Sequence, residues 1–112
     1  MDNSNLTGKD FEFLITPNDI EIKNEDFDSL MTPDSIAWEK VFKKNWYYYK
    51  VGADEFTYSM EPPGIQMTFN PEISYAKAFQ IANEVAKKLT IYSGKEVVIN
   101  FISNDTIYSF DV

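Results

Sequence analysis

Cysteine, histidine and arginine are all absent from these 112 residues. Without cysteine there are no disulfides, no thiolate metal sites and no thiol nucleophile. Without histidine, the commonest general base and the commonest transition-metal ligand are missing. All ten basic residues are lysines, so no planar guanidinium is present to fork onto phosphate or carboxylate. The four glycines, at 8, 52, 64 and 94, are isolated and form no phosphate-cradling loop. Apolar runs fall far short of the ~20 residues a membrane span needs. The start, Met1-Asp2-Asn3-Ser4-Asn5, has neither the basic nor the apolar region of a secretion signal, so the expected location is the cytoplasm. Such gaps handicap an active site and cost a binding module little. The expectation is a non-enzymatic protein with no catalytic residues and no cofactor.

What is present suits a folded chain. The length is that of one domain, so residues 1–112 are read as a single unit. The apolar share is 44%, with nine Phe, seven Tyr and two Trp, which argues against disorder despite a net charge of −8. That charge is uneven. Residues 1–34 hold nine acids against two lysines, a net −7, whereas residues 35–112 hold nine acids against eight lysines, a net −1. Hydrophobic residues are interleaved with the acids of the first third, so it is no plain solvated tail. The absence of arginine beside abundant Lys, Asn, Ile and Tyr suggests an AT-rich coding genome.

The periodicities give an element order. Phe11, Phe13 and Ile15 alternate with Glu12, Leu14 and Thr16 as in a strand. Pro17-Asn18-Asp19 reads as a turn leading into a second alternation at Ile20 and Ile22. Thr32-Pro33-Asp34 has the form of a helix start, with Thr at the N-cap and Pro at the first helical position. The predicted helix runs to about Lys44 and buries Ala37, Trp38, Val41 and Phe42. Trp46–Val51 reads as a strand, and residues 56–69 as a hairpin turning at Pro62-Pro63-Gly64. Ser74 is positioned to cap a long helix whose apolar face is Tyr75, Ala78, Phe79, Ile81, Ala82, Val85, Ala86, Leu89 and Tyr92, with Ile91 a misfit on the polar side; Gly94 ends it. Glu96–Ile102, apolar on both faces, reads as a central strand, followed by a turn at Asn104-Asp105 and a last strand over Thr106–Val112. The fold class is therefore α+β, an antiparallel or mixed sheet with two helices packed on one face.

Candidate chemistry is sparse. The neighbouring acids Asp54-Glu55 and Glu25-Asp26 read as solvated surface groups. Asn24, Asp26 and Asp28 imitate the first ligands of a calcium loop, but Ser29 and Ser35 replace its glycine and its bidentate glutamate. No metal site is expected. Clustered cations are lacking and the net field repels a polyanion, so direct nucleic-acid binding is disfavoured. The run Trp46-Tyr47-Tyr48-Tyr49, flanked by lysines, reads first as a strand sending alternate rings into the core, with base stacking the competing reading. Three consecutive tyrosines cannot share one face of a strand, and exposed Tyr and Trp are the types that dominate protein interfaces.

The size, the acidity, the missing catalytic residue types and the strand–hairpin–capped-helix run from Trp46 to Tyr92 together resemble the small acidic immunity proteins of bacterial toxin–immunity systems. They also look like phage-encoded inhibitors that mimic nucleic acid. The resemblance implies a non-enzymatic protein that binds and masks a basic, nuclease-like partner. Acidic residues would steer association and an aromatic centre would supply affinity. The candidate partner-binding residues are Glu12, Asp19, Glu21, Glu25, Asp26, Asp28, Asp34, Trp46, Tyr47 and Tyr49. The competing reading is a small-ligand-binding or homo-oligomeric α+β domain, with a pocket or dimer face around Trp46, Tyr48, Tyr58 and Met67.

Overall fold

A computed structural model describes residues 5–104. Its elements are β1 (Phe11–Thr16), α1 (Asn24–Leu30), β2 (Glu39–Lys43), β3 (Trp46–Val51), β4 (Asp54–Glu61), β5 (Gly64–Phe69), α2 (Tyr75–Ser93) and β6 (Val98–Ser103). The described strands form one antiparallel sheet in the order β2-β3-β4-β5-β1-β6. The fold is α+β.

One face of the sheet is apolar because alternate residues of each strand point the same way. Phe11, Phe13 and Ile15 of β1, Tyr49 and Val51 of β3, Phe56 and Tyr58 of β4, and Ile65, Met67 and Phe69 of β5 form one buried cluster with the inner face of α2. That helix buries Ala78, Ile81, Ala82, Val85, Ala86 and Leu89, a stripe at helical spacing. Ser74 caps it by accepting from the Lys77 N–H, and Gly94 closes it at φ 73°. Of the other residues predicted on its apolar face, Tyr75 and Tyr92 are half-buried and Phe79 is exposed, as is Ile91. Strand β1 lies inside the sheet, between β5 and β6. Within the acidic first third, β1 is thus built into the core of the fold, whereas α1 buries none of its residues.

Three expectations are corrected. Residues 32–44 are not a helix. Thr32 instead closes α1, its hydroxyl donating to the Asp28 carbonyl at 2.6 Å, and Pro33 prevents that helix from continuing. The N–H groups of Asp34 and Ser35, which a helix start would leave free, both donate to Glu84 of α2, at 2.9 and 3.0 Å. Residues 39–43 then pair with β3 from Glu39↔Lys50 to Lys43↔Trp46. Lys44 and Asn45 connect the two strands with φ of 53° and 61°, the two positive values of a two-residue hairpin turn. Ala37, Trp38 and Phe42, expected in the core, are exposed, and Val41 is only half-buried.

Second, Ile20 and Ile22 form no strand. Ile20, just after the turn that follows β1, is buried in the core cluster, and the acidic stretch beyond it forms the short helix α1. Third, β6 lies at the sheet edge among the described residues, with Val98 and Phe101 exposed. The strand predicted over Thr106–Val112 lies outside the described residues.

Candidate functional site

On the helix-bearing side of the sheet, Tyr75 of α2 packs on Phe11 and Phe13 of β1 and on Phe101 of β6, while the short α1 and the residue after it are held to β3 and β4 through Tyr49 and Tyr58. Beyond α1 a cleft of about 580 Å³ opens. Its walls are Asn24, Phe27 and Asp28 from α1, Lys40 from β2, Trp46, Tyr47 and Tyr49 from β3, and Tyr58, Ser59 and Met60 from β4. Strand pairing helps create it. The β3–β4 register runs from Val51↔Asp54 to Tyr49↔Phe56, and beyond that point side chains bridge the two strands. The Trp46 indole N–H donates to the Tyr58 carbonyl at 3.0 Å, and the Thr57 hydroxyl donates to the Tyr47 carbonyl at 2.7 Å.

The floor is fixed and the rim is exposed. Tyr49 is buried and its hydroxyl donates to Asp28 Oδ1 at 2.6 Å. Burial, then the bond to the Asp28 carboxylate, pushes the Tyr49 phenol far above its ordinary pKa. Tyr58 is raised as well, first by burial and then by Tyr49, and donates to the Met31 carbonyl at 2.8 Å. Both phenols therefore stay protonated donors and hold α1 against the sheet. Around them, Trp46, Tyr47, Met60 and Phe42 are each more than half exposed, at 52, 53, 66 and 59%. Phe42 packs on Tyr47 with ring centroids 4.9 Å apart. Lys40 lies across the mouth: its Nζ is 3.1 Å from Asp28 Oδ1 and 4.5 Å from the centre of the Tyr47 ring.

The predicted partner-binding residues divide. Asp28, Trp46, Tyr47 and Tyr49 meet at this cleft, and exposed Glu25 lies beside them on α1. Asp26 accepts from the Tyr92 hydroxyl of α2 at 3.0 Å. Asp19 pairs with Lys95 at 2.9 Å and Asp34 with Lys88 at 2.9 Å. Lys95 holds the Asp19 carboxyl below its ordinary pKa by hydrogen bonding and by charge. Glu21 is exposed in the segment before α1. Glu12 is elsewhere, on the sheet face away from the helices, where it accepts from Gln66 and Thr68 at 2.5 and 3.3 Å. The charge excess of the first third is therefore partly spent on lysines from the rest of the chain. Phe27, Lys40 and Met60 belong to the cleft and were not among the sequence candidates, whereas Tyr58 was named only for the competing small-ligand reading.

The pocket imagined around Trp46, Tyr48, Tyr58 and Met67 does not form as such. Met67 is fully buried opposite Tyr58, and Tyr48 lies on the face away from the helices, beneath Lys43. Asp54 is not a solvated acid. Burial opposes its charge, but hydrogen bonds from Lys77, at 2.7 Å, and Asn70, at 2.9 Å, outweigh it and lower its pKa. Asn24, Asp26 and Asp28 sit two residues apart on a helix, which points neighbours in that series to opposite sides. No group of three or more acids placed to hold a metal occurs among the described residues, and none of the described helices is long and apolar enough to cross a membrane.

No protein-family model matches this sequence, and neither a curated protein nor a solved structure is found that is similar to it.

Proposed function

We propose that this chain is a non-enzymatic binding protein of the immunity or inhibitor kind, acting in the cytoplasm, and that it masks a basic, nuclease-like protein with its β2–β4 edge. One observation carries the reading: the exposed rings and thioether of Phe42, Trp46, Tyr47 and Met60 surround a preformed cleft with a carboxylate in its wall. Side chains of these types at the centre of a surface are the usual anchors of protein interfaces. The net charge of −8 favours a cationic partner through steering. Exposed Glu21 and Glu25 add to it on the α1 side.

The test is quantitative capture of a partner from the source cell. The intact chain is expected to retain a basic protein, and F42E or W46A to lose it about tenfold or more, as interface anchors do. E12Q, on the opposite face, should retain it. A captured protein indifferent to F42E and W46A, or capture lost only with E12Q, would place the working surface elsewhere. A second reading, a small-ligand site, is favoured by the cleft volume alone, which falls within the usual range for such pockets. The same F42E variant separates the two, because Phe42 lies outside the cleft lining.

A further inference from the structure

The cleft already holds a cation. The ammonium of Lys40 lies over the Tyr47 ring and against the Asp28 carboxylate, with Nζ 4.5 Å from the ring centre and 3.1 and 3.2 Å from the two oxygens. An aromatic face paired with a carboxylate is the arrangement that recognises ammonium and guanidinium groups. We propose that the cleft is a receptor for a single lysine or arginine side chain of the partner, and that Lys40 is its internal stand-in, displaced when the partner binds. The proposal rests on the binding-protein reading above and adds the chemistry of the central contact.

Receptor and stand-in differ in how firmly they are held. Asp28 is fixed by the Tyr49 hydroxyl, and Tyr49 is itself 2% exposed. Trp46 is fixed by its bond to the Tyr58 carbonyl. Asp28 and Trp46 are thus in place before any ligand arrives, which lowers the ordering cost of binding. Lys40 and Asp28 are similarly exposed, at 38 and 40% of their side chains, but beyond these contacts with Asp28 and Tyr47 Lys40 is held only by its flexible stem, on the strand at the sheet edge among the described residues. Exposed ion pairs of this kind contribute little to stability, so Lys40 can swing into water without disturbing the sheet. Charge is conserved in the exchange: one cation leaves Asp28 as another arrives. Exclusion of the wrong partner follows as well, since an acidic or purely apolar side chain that displaced Lys40 would leave Asp28 without a cation.

Choline and its neutral isostere 3,3-dimethylbutan-1-ol are suitable probes, followed through the Trp46 indole N–H and Asp28 amide signals in nitrogen–proton NMR spectra. Choline is expected to give saturable shifts at both signals, and the alcohol to bind about two- to fivefold more weakly or not at all. K40M, which removes the stand-in, should tighten choline by about two- to fivefold, while D28N and Y47L should weaken it and Y47F should not. Lys40 and Tyr47 are exposed, so K40M, Y47L and Y47F are expected to keep the parent spectrum. Equal binding of choline and the alcohol, or no saturable shift even in K40M, would overturn the proposal. If it falls while F42E still abolishes partner capture, the binding-protein reading survives without it; if capture is also indifferent to F42E, both fall.

Discussion

Tyr58 shows how much one atom can decide here. Its ring is buried in the core, and its hydroxyl satisfies the Met31 carbonyl just past the end of α1. Removing the hydroxyl in Y58F leaves that carbonyl without its donor, and should cost about 1–2 kcal/mol, read as a lower denaturation midpoint. Glycines offer a sharper contrast. Gly94 needs its positive φ, but a Cβ there would meet nothing within 4 Å, so G94A should cost about 1 kcal/mol from backbone strain alone. At Gly64 a Cβ would lie 2.2 Å from the Ile15 carbonyl oxygen. The β1–β5 pairing would then have to spread, and G64A is expected to destabilise several times more than G94A in the same melting experiment. The aromatic half of the site was legible at this scale: Trp46, Tyr47 and Tyr49 stand in a run that no single strand face can bury. Their union with Asp28 was not, because it depends on a phenol reaching across to a helix 21 residues earlier.

At the scale of elements, α2 and the β4–β5 hairpin follow from local signals: a serine cap, a closing glycine, and alternation around Pro62-Pro63-Gly64. Strand β2 was concealed by signals that fit a helix equally well. Thr32-Pro33 ends one helix with the same residues that can begin another, and Lys43-Lys44 suits a helix end as readily as a hairpin. The turn at Lys44-Asn45 contains no glycine to announce it. N45G should therefore stabilise the β2–β3 hairpin by a few tenths to about 1 kcal/mol, and N45V, forced to a positive φ, should cost about 1–2 kcal/mol. Two carboxylates tie other elements to α2. Asp54 binds β4 to Lys77 of α2, and Glu84 binds the segment after α1 by accepting from the N–H groups of Asp34 and Ser35, with Gln80 of its own helix donating to it as well. In both groups burial opposes the charge, but the hydrogen bonds outweigh it, so the folded-state pKa lies below the ordinary 3.8 and 4.5. The unfolded chain therefore takes up protons first as pH falls. Their stabilisation is present above about pH 4.5 and is lost progressively below it, through the folded-state values. The acid limb of the stability curve should flatten in D54N and in E84Q, whose stability at neutral pH should already be lower.

For the whole molecule, the linear charge pattern and the folded one differ. The excess of acids in the first third is offset in space by Lys40, Lys88 and Lys95 from later elements, pairings that no count along the chain reveals. What remains for long-range attraction is the overall −8, with Glu21 and Glu25 exposed near α1. Reversal of both in E21K/E25K should slow association with a basic partner several-fold at low salt and leave the melting temperature nearly unchanged, an effect that shrinks as ionic strength rises. Affinity is assigned instead to the rim at Phe42, Trp46, Tyr47 and Met60. The most direct test is hydrogen–deuterium exchange of the chain alone and with its captured basic partner. Added protection is expected over residues 24–28, 39–49 and 58–60, with β1, β5 and α2 unchanged. Protection confined to α2, or to β1 and β5, which carry Glu12 and Gln66, would contradict it.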